Sequence, residues 1–136
     1  MPSYILTGAP GAGKTAVLRL LETSGYRVVE EAATDVIALG NALGRAEPWH
    51  DHDFIGKVIA LQRRRQDFVL AARGATIFFD RSPVCTLALS RYLGFPASRL
   101  LDGEVSRVVA EGTYEPTVFF LRNQGFVTFG QPCLAR

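Results

Sequence analysis

The sequence predicts an α/β domain built on a parallel sheet, and three observations carry that prediction. A short apolar run, Tyr4-Ile5-Leu6-Thr7, leads through a glycine-rich loop into an amphipathic stretch. Three further β-type runs recur at Arg27 to Glu30, Thr76 to Phe79 and Thr117 to Leu121, each separated from the next by helix-length segments. The second of these is continuously apolar up to Asp80, as a central strand covered on both faces should be. A chain of 136 residues is enough for one domain with a substantial core and too short for two ordinary ones. Its 48% hydrophobic and 21% charged content is that of a globular protein rather than a disordered one.

Each element has a local reason. After the first strand, Val17, Leu18, Leu20 and Leu21 give a helix opening near Lys14 its inner side, and Ser24-Gly25 stops it. Arg27-Val28-Val29-Glu30 is the second strand, Glu31 to Leu43 reads as a helix, and Gly44 to Asp53 is a polar loop. A long helix from Phe54 to Ala72 is marked by Phe54, Ile55, Val58, Ile59, Leu61, Phe68, Val69 and Ala72, with Asp53 as its N-cap and Gly74 beyond its end. Pro83 suits the first turn of a helix reaching about Leu93. Another helix runs from Ser98 to Glu111, before the fourth strand. Residues 1–128 are expected to form the domain and 129–136 an irregular tail.

The loop Gly8-Ala9-Pro10-Gly11-Ala12-Gly13-Lys14-Thr15 matches G-x-x-x-x-G-K-[ST], a pattern that binds phosphate when it lies between a strand and a helix. Unpaired amides and the positive end of the helix dipole converge there on an anion, and glycines let the backbone approach it closely. Lys14 would neutralise the β- and γ-phosphates of ATP, and Thr15 would offer its hydroxyl to a magnesium ion. Only Lys14 and Lys57 are lysines among the 15 basic residues, so the loop lysine stands out from its background.

Asp80 ends the third strand, where a carboxylate beside the phosphate loop can hold magnesium through its water shell; the alternative is a cap on the next helix. Arg81 would project into the same crevice and grip a phosphate or substrate group. Glu30 and Glu31 end the second strand, and alternation allows only one to face the crevice. A carboxylate there could take a proton from an attacking hydroxyl, or both could simply open the next helix. In Trp49-His50-Asp51-His52-Asp53, two imidazoles and two carboxylates suggest a metal, but a polar surface loop capping a helix explains them better.

Cys85 and Cys133 lack metal-like spacing and read as structural or incidental. A formal charge of +2 gives no reason to expect nucleic acid. No apolar run approaches the roughly 18 residues of a bilayer span, and no secretory signal precedes the first strand, so the expected setting is cytoplasmic, with no membrane partner. Oligomeric state is not indicated.

Taken together, the phosphate loop, Val28-Val29-Glu30-Glu31-Ala32-Ala33, Phe78-Phe79-Asp80-Arg81-Ser82-Pro83 and Asn123-Gln124-Gly125-Phe126-Val127-Thr128 resemble the small bacterial P-loop domains of AAA-type ATPase or kinase character. These are similar in turn to nucleoside and nicotinamide-riboside kinases. The resemblance implies a three-layer, nucleoside-kinase-like P-loop NTPase fold with strand order 2-3-1-4-5. From deoxynucleoside kinases it implies Glu31 as base on a sugar hydroxyl, Asp80 in magnesium or base chemistry, Arg81 as substrate or phosphate contact, and Gln62, Arg63 and Gln66 on a helix that reads the base. Thr34 stands where relatives often carry Arg. Relatives also continue into an arginine-bearing lid and a fifth strand, which the tail Gln131 to Arg136 does not resemble. The expected sheet therefore lacks its fifth strand and leaves the Phe119-Phe120 edge uncovered.

The expected activity is transfer of the γ-phosphoryl group of ATP, with magnesium, to a hydroxyl of a small nucleoside-like substrate, with Glu31 or Asp80 as base. The alternatives are a nucleotide-binding module or truncated relic without efficient turnover, and an ATPase coupled to a partner. No Asn-Lys-x-Asp segment is present to favour guanine.

Overall fold

The computed structural model describes residues 2–9, 11–72 and 74–123. The expected tail 129–136, Cys133, and the Gly-Phe-Val-Thr segment at 125–128 lie outside the described residues.

Four strands, β1 (Ser3–Gly8), β2 (Arg27–Val29), β3 (Ile77–Asp80) and β4 (Val118–Leu121), form an all-parallel sheet in the order β2-β3-β1-β4. This is the order expected for its first four members. The register sets Leu6 beside Asp80, Val29 beside Phe79 and Gly8 beside Leu121, so the loops after β1, β2 and β3 leave from one end of the sheet. That end is where an open α/β sheet places its ligand.

The helices are α1 (Lys14–Thr23), α2 (Ala32–Ala42), α3 (Phe54–Ala71), α4 (Pro83–Tyr92) and α5 (Arg99–Ala110). They match the sequence reading to within one or two residues at each end. A single 3-10 turn, Pro48–His50, interrupts the expected polar loop. Ser98 caps α5 by accepting a hydrogen bond from the Leu101 amide at 3.3 Å. Asp53 holds the N-cap position of α3 but makes no side-chain cap, because its carboxylate turns to Lys57 at 3.0 Å.

Alternation along the strands builds two cores. On one face Leu6 and Phe78 pack against Leu18 of α1, with Tyr26, Phe78, Tyr4 and Phe119 forming a row of aromatic contacts whose successive ring centres are 5.4, 5.6 and 5.6 Å apart. The other face carries Ile5, Ile77 and Phe79, and beyond it α2, α3 and α5 close a second core around Ile37, Phe54, Val58, Ile59 and Leu101. Three of the expected inward residues, Ala72 among them, are not inside. Leu20 and Phe68 are exposed, the latter by 82%, because the sequence pattern spreads further round each helix than the stripe the sheet can cover. Among the described residues β4 is an edge strand, and Phe119 and Phe120 on it are exposed. Trp49 packs against the second core and serves as a packing residue.

Gly8 is fixed by contact as well as by its φ of 151°, since a Cβ there would run into the Leu121 carbonyl oxygen. Gly103, in the exposed middle of α5, meets nothing within 4 Å. We therefore expect Gly8→Ala to destabilise the domain by about 2 kcal/mol or more and Gly103→Ala to stabilise it by about 0.5–1 kcal/mol, as read from urea midpoints.

Candidate functional site

The loop after β1 turns tightly, with the Ala12 amide donating to the Ala9 carbonyl at 3.1 Å, and passes through positive φ at Gly11 (76°) and Gly13 (87°). Pro10 lies outside the described residues. Gly13 is the N-cap of α1 and no side chain caps the helix, so the amides of its first turn are left for an anion in the loop. Lys14 is 8% exposed, and its Nζ donates to the carbonyls of Gly8 and Ala9, each at 3.3 Å. Burial, followed by the nearby Arg81 cation, lowers its pKa. An incoming phosphate would relieve both effects. Thr15 follows on the exposed side of the same turn.

Asp80 sits at the carboxyl end of β3 and is 8% exposed. Burial and the neighbouring Glu31 carboxylate raise its pKa to about 6, against the opposing pull of Lys14 and Arg81. Its Oδ1 is buried without a hydrogen-bond partner. An orphaned buried carboxylate oxygen beside a phosphate loop fits a magnesium-bound water, and with the Thr15 hydroxyl it makes a donor set suited to that hard cation. Asp80 is not the cap of α4; Ser82 occupies that position.

Arg81 turns the chain sharply at φ 71°, a left-handed conformation in a residue other than glycine. The turn is anchored by its amide on the Leu6 carbonyl at 2.9 Å. It aims the guanidinium back over the loop, where Nη2 donates to the Gly8 carbonyl at 3.0 Å and Nε lies 3.2 Å from Glu31 Oε1. The choice left open between the two glutamates is resolved by position. Glu31, the N-cap residue of α2, faces the crevice, and Thr34 donates to its Oε2 at 3.2 Å. Glu30 pairs with Arg19 at the outer surface. The structure thus gathers Lys14, Glu31, Asp80 and Arg81 in one crevice, and their charges act on one another.

Three expectations need correction or narrowing. Gln66 does not face the crevice as a base-reading residue. It is 2% exposed, donates to Tyr114 Oη at 2.9 Å and accepts from Arg107 Nη2 at 2.5 Å, which ties α3 to α5. Arg63 lies along Asp67 and Glu104. Gln62 accepts from Thr86 Oγ1 at 3.0 Å, between α3 and α4. Among the described residues no three His, Cys, Asp or Glu side chains come together as a metal cluster; Asp51 pairs with Arg45 and Asp53 with Lys57. Cys85, a free thiol in the first turn of α4, has its Sγ 3.7 Å from Ser82 Oγ. The role of Thr34 as a prop for Glu31 was not legible in the sequence, although its i, i+3 spacing from a helix-opening glutamate was a usable signal.

The buried carboxylate has a consequence for stability. Because the folded-state pKa of Asp80 lies near 6, above its ordinary 3.8, the folded protein holds this proton more tightly than the unfolded chain. Its contribution is full below pH 3.8, falls as pH rises and is gone above about pH 6. Without nucleotide, Asp80→Asn should therefore gain stability relative to the parent as pH rises from 4 to 7, by up to about 3 kcal/mol. Urea unfolding at a series of pH values measures the difference, and parallel curves would contradict the burial of this carboxylate.

No helix among the described residues is long and apolar enough to cross a membrane. A search of curated proteins finds no match to the chain. A family model described as an AAA domain matches residues 3–131, nearly the whole length, and the parallel sheet found here fits a P-loop domain. The chain belongs to this AAA domain family and is a P-loop nucleotide-binding protein.

Proposed function

We propose that the protein is a kinase that transfers the γ-phosphoryl group of ATP to a hydroxyl of a small, nucleoside-like substrate. The observation that carries this reading is the Glu31–Arg81 pair at 3.2 Å. The pair puts a carboxylate on an element separate from the phosphate loop, near enough to Lys14 and Asp80 for their charges to interact, which suits a base for an acceptor hydroxyl.

The loop amides and Lys14 would hold the β- and γ-phosphates. Lys14 would leave the carbonyls of Gly8 and Ala9 to do so, and its charge would then be matched by the phosphate. Thr15 and Asp80 would hold magnesium, which supplies charge neutralisation as the phosphoryl group moves. Glu31 would accept the proton of the attacking hydroxyl as its oxygen bonds to the γ-phosphorus and the bond to the β-γ bridging oxygen breaks. Arg81 would keep Glu31 oriented and, once the acceptor is bound, present a guanidinium to the phosphoryl oxygens. The reaction is thereby assigned mostly to positioning and electrostatics.

Thermal unfolding with magnesium-ATP should raise the midpoint by several degrees, since ligand at about 100 times its dissociation constant adds about 2.7 kcal/mol. Lys14→Ala should abolish the shift. Glu31→Gln should keep the nucleotide shift and lose acceptor-dependent ADP formation by about 100-fold or more when nucleosides are screened as acceptors. ADP formation that is indifferent to acceptor would favour an ATPase coupled to a partner. A nucleotide shift with neither activity would favour a binding module.

A further inference from the structure

A groove of about 690 Å³ runs along the outer edge of β2, between α1 and α3 and away from the nucleotide crevice. We propose that it is the docking site for an extended, acidic peptide segment of a partner protein, which adds to the sheet as a strand beside β2.

The backbone argument comes first. Along a parallel strand, residues alternate in the side to which their N–H and C=O groups point. The Arg27 amide donates to the Thr76 carbonyl at 3.2 Å, so Arg27 and Val29 serve β3, and the N–H and C=O of Val28 face outward into the groove. Two of the neighbouring outward groups are already used: the Tyr26 amide donates to the Leu21 carbonyl at 3.1 Å, and the Glu30 carbonyl accepts from Arg65 Nη1 at 3.1 Å. The donor and acceptor of Val28 suit a single residue of an incoming antiparallel strand, which exchanges both hydrogen bonds with it. The helices on either side leave room for an extended chain, the occupant that matches such an edge.

Charge selects the kind of chain. Four arginines and two glutamates line the groove. Arg19 engages both glutamates, Glu22 at 2.8 Å and Glu30. Arg65 is paired with Asp35 at 2.5 Å. Arg27 donates to the Ala72 carbonyl at 2.5 Å, and among the described residues neither Arg27 nor Arg64 makes an ion pair. These two cations outnumber the one carboxylate charge left over where Arg19 is shared between Glu22 and Glu30, so the rim keeps a net positive charge complementary to acidic side chains. Between them the wall is apolar. Phe68, the 82% exposed residue that the helical pattern assigns to the interior, stands beside Val69 and would take an apolar side chain of the incoming strand. The sequence that fits alternates acidic residues with a central aliphatic or aromatic one.

The test uses the full chain and a fluorescein-labelled heptapeptide, Asp-Glu-Val-Phe-Val-Glu-Asp, with fluorescence anisotropy as the readout. A version with lysines in place of the acids and a version N-methylated at Phe serve as controls. The acidic peptide should bind, more weakly as salt is added. The lysine and N-methyl versions should each bind at least about tenfold more weakly. Arg64→Glu and Phe68→Ser, both at exposed positions, should each weaken the acidic peptide about tenfold while leaving the magnesium-ATP thermal shift unchanged. The proposal is overturned if the acidic peptide fails to bind at millimolar concentration, or if N-methylation or Arg64→Glu has no effect. Sedimentation showing that a second copy of the chain occupies this edge would overturn it as well.

Discussion

The carbonyl of Gly8 is the point on which the rest of the site depends. It closes β1, lies beside Leu121 of β4 with no space for a side chain, and accepts hydrogen bonds from both Lys14 and Arg81. One backbone oxygen therefore holds two cations that repel each other in a partly buried place. The arrangement is a resting one. A phosphate entering the loop offers each cation a stronger acceptor than a neutral carbonyl, so binding relieves the crowding rather than creating it.

Asp80 is the counterpart on the acidic side. Its burial raises the energy of its charged form, and Glu31 adds to the effect, while Lys14 and Arg81 offset only part of it. A divalent cation would reverse that balance, which makes the pocket more costly empty than loaded. The left-handed turn at Arg81 serves the same arrangement: without it the guanidinium would follow the strand direction instead of folding back over the loop. Two apolar cores on either side of the sheet support the crevice.

Much of this was legible in the sequence because the strongest signals are local. The phosphate loop, the apolar run ending in Asp80 and the proline opening α4 each state their own conformation, and the strand order followed from the family resemblance. What remained hidden depends on tertiary placement. Whether Glu30 or Glu31 faces inward turns on where β2 ends and α2 begins, a difference of one residue. Gln66 looks like any polar residue on a helix, and only the approach of Tyr114 and Arg107 from distant segments makes it a buried tie. Phe68 misleads in the opposite direction, since periodicity records that a face is apolar but not that another element covers it.

The position of β1 in the sheet also bears on how the chain comes to be folded as it is made. Its two neighbours are β3 and β4, and its first pairing, Ser3 with Ile77, cannot form until 74 further residues have been synthesised. At about 5–20 residues per second, that leaves the apolar strand without its partners for roughly 4–15 s on the ribosome. During that interval α1 can fold locally, but the loop before it has no sheet to fix its shape. The first-made part of the site is thus among the last to be set in place, and the nascent segment Tyr4-Ile5-Leu6 is the stretch that most needs shielding while it waits.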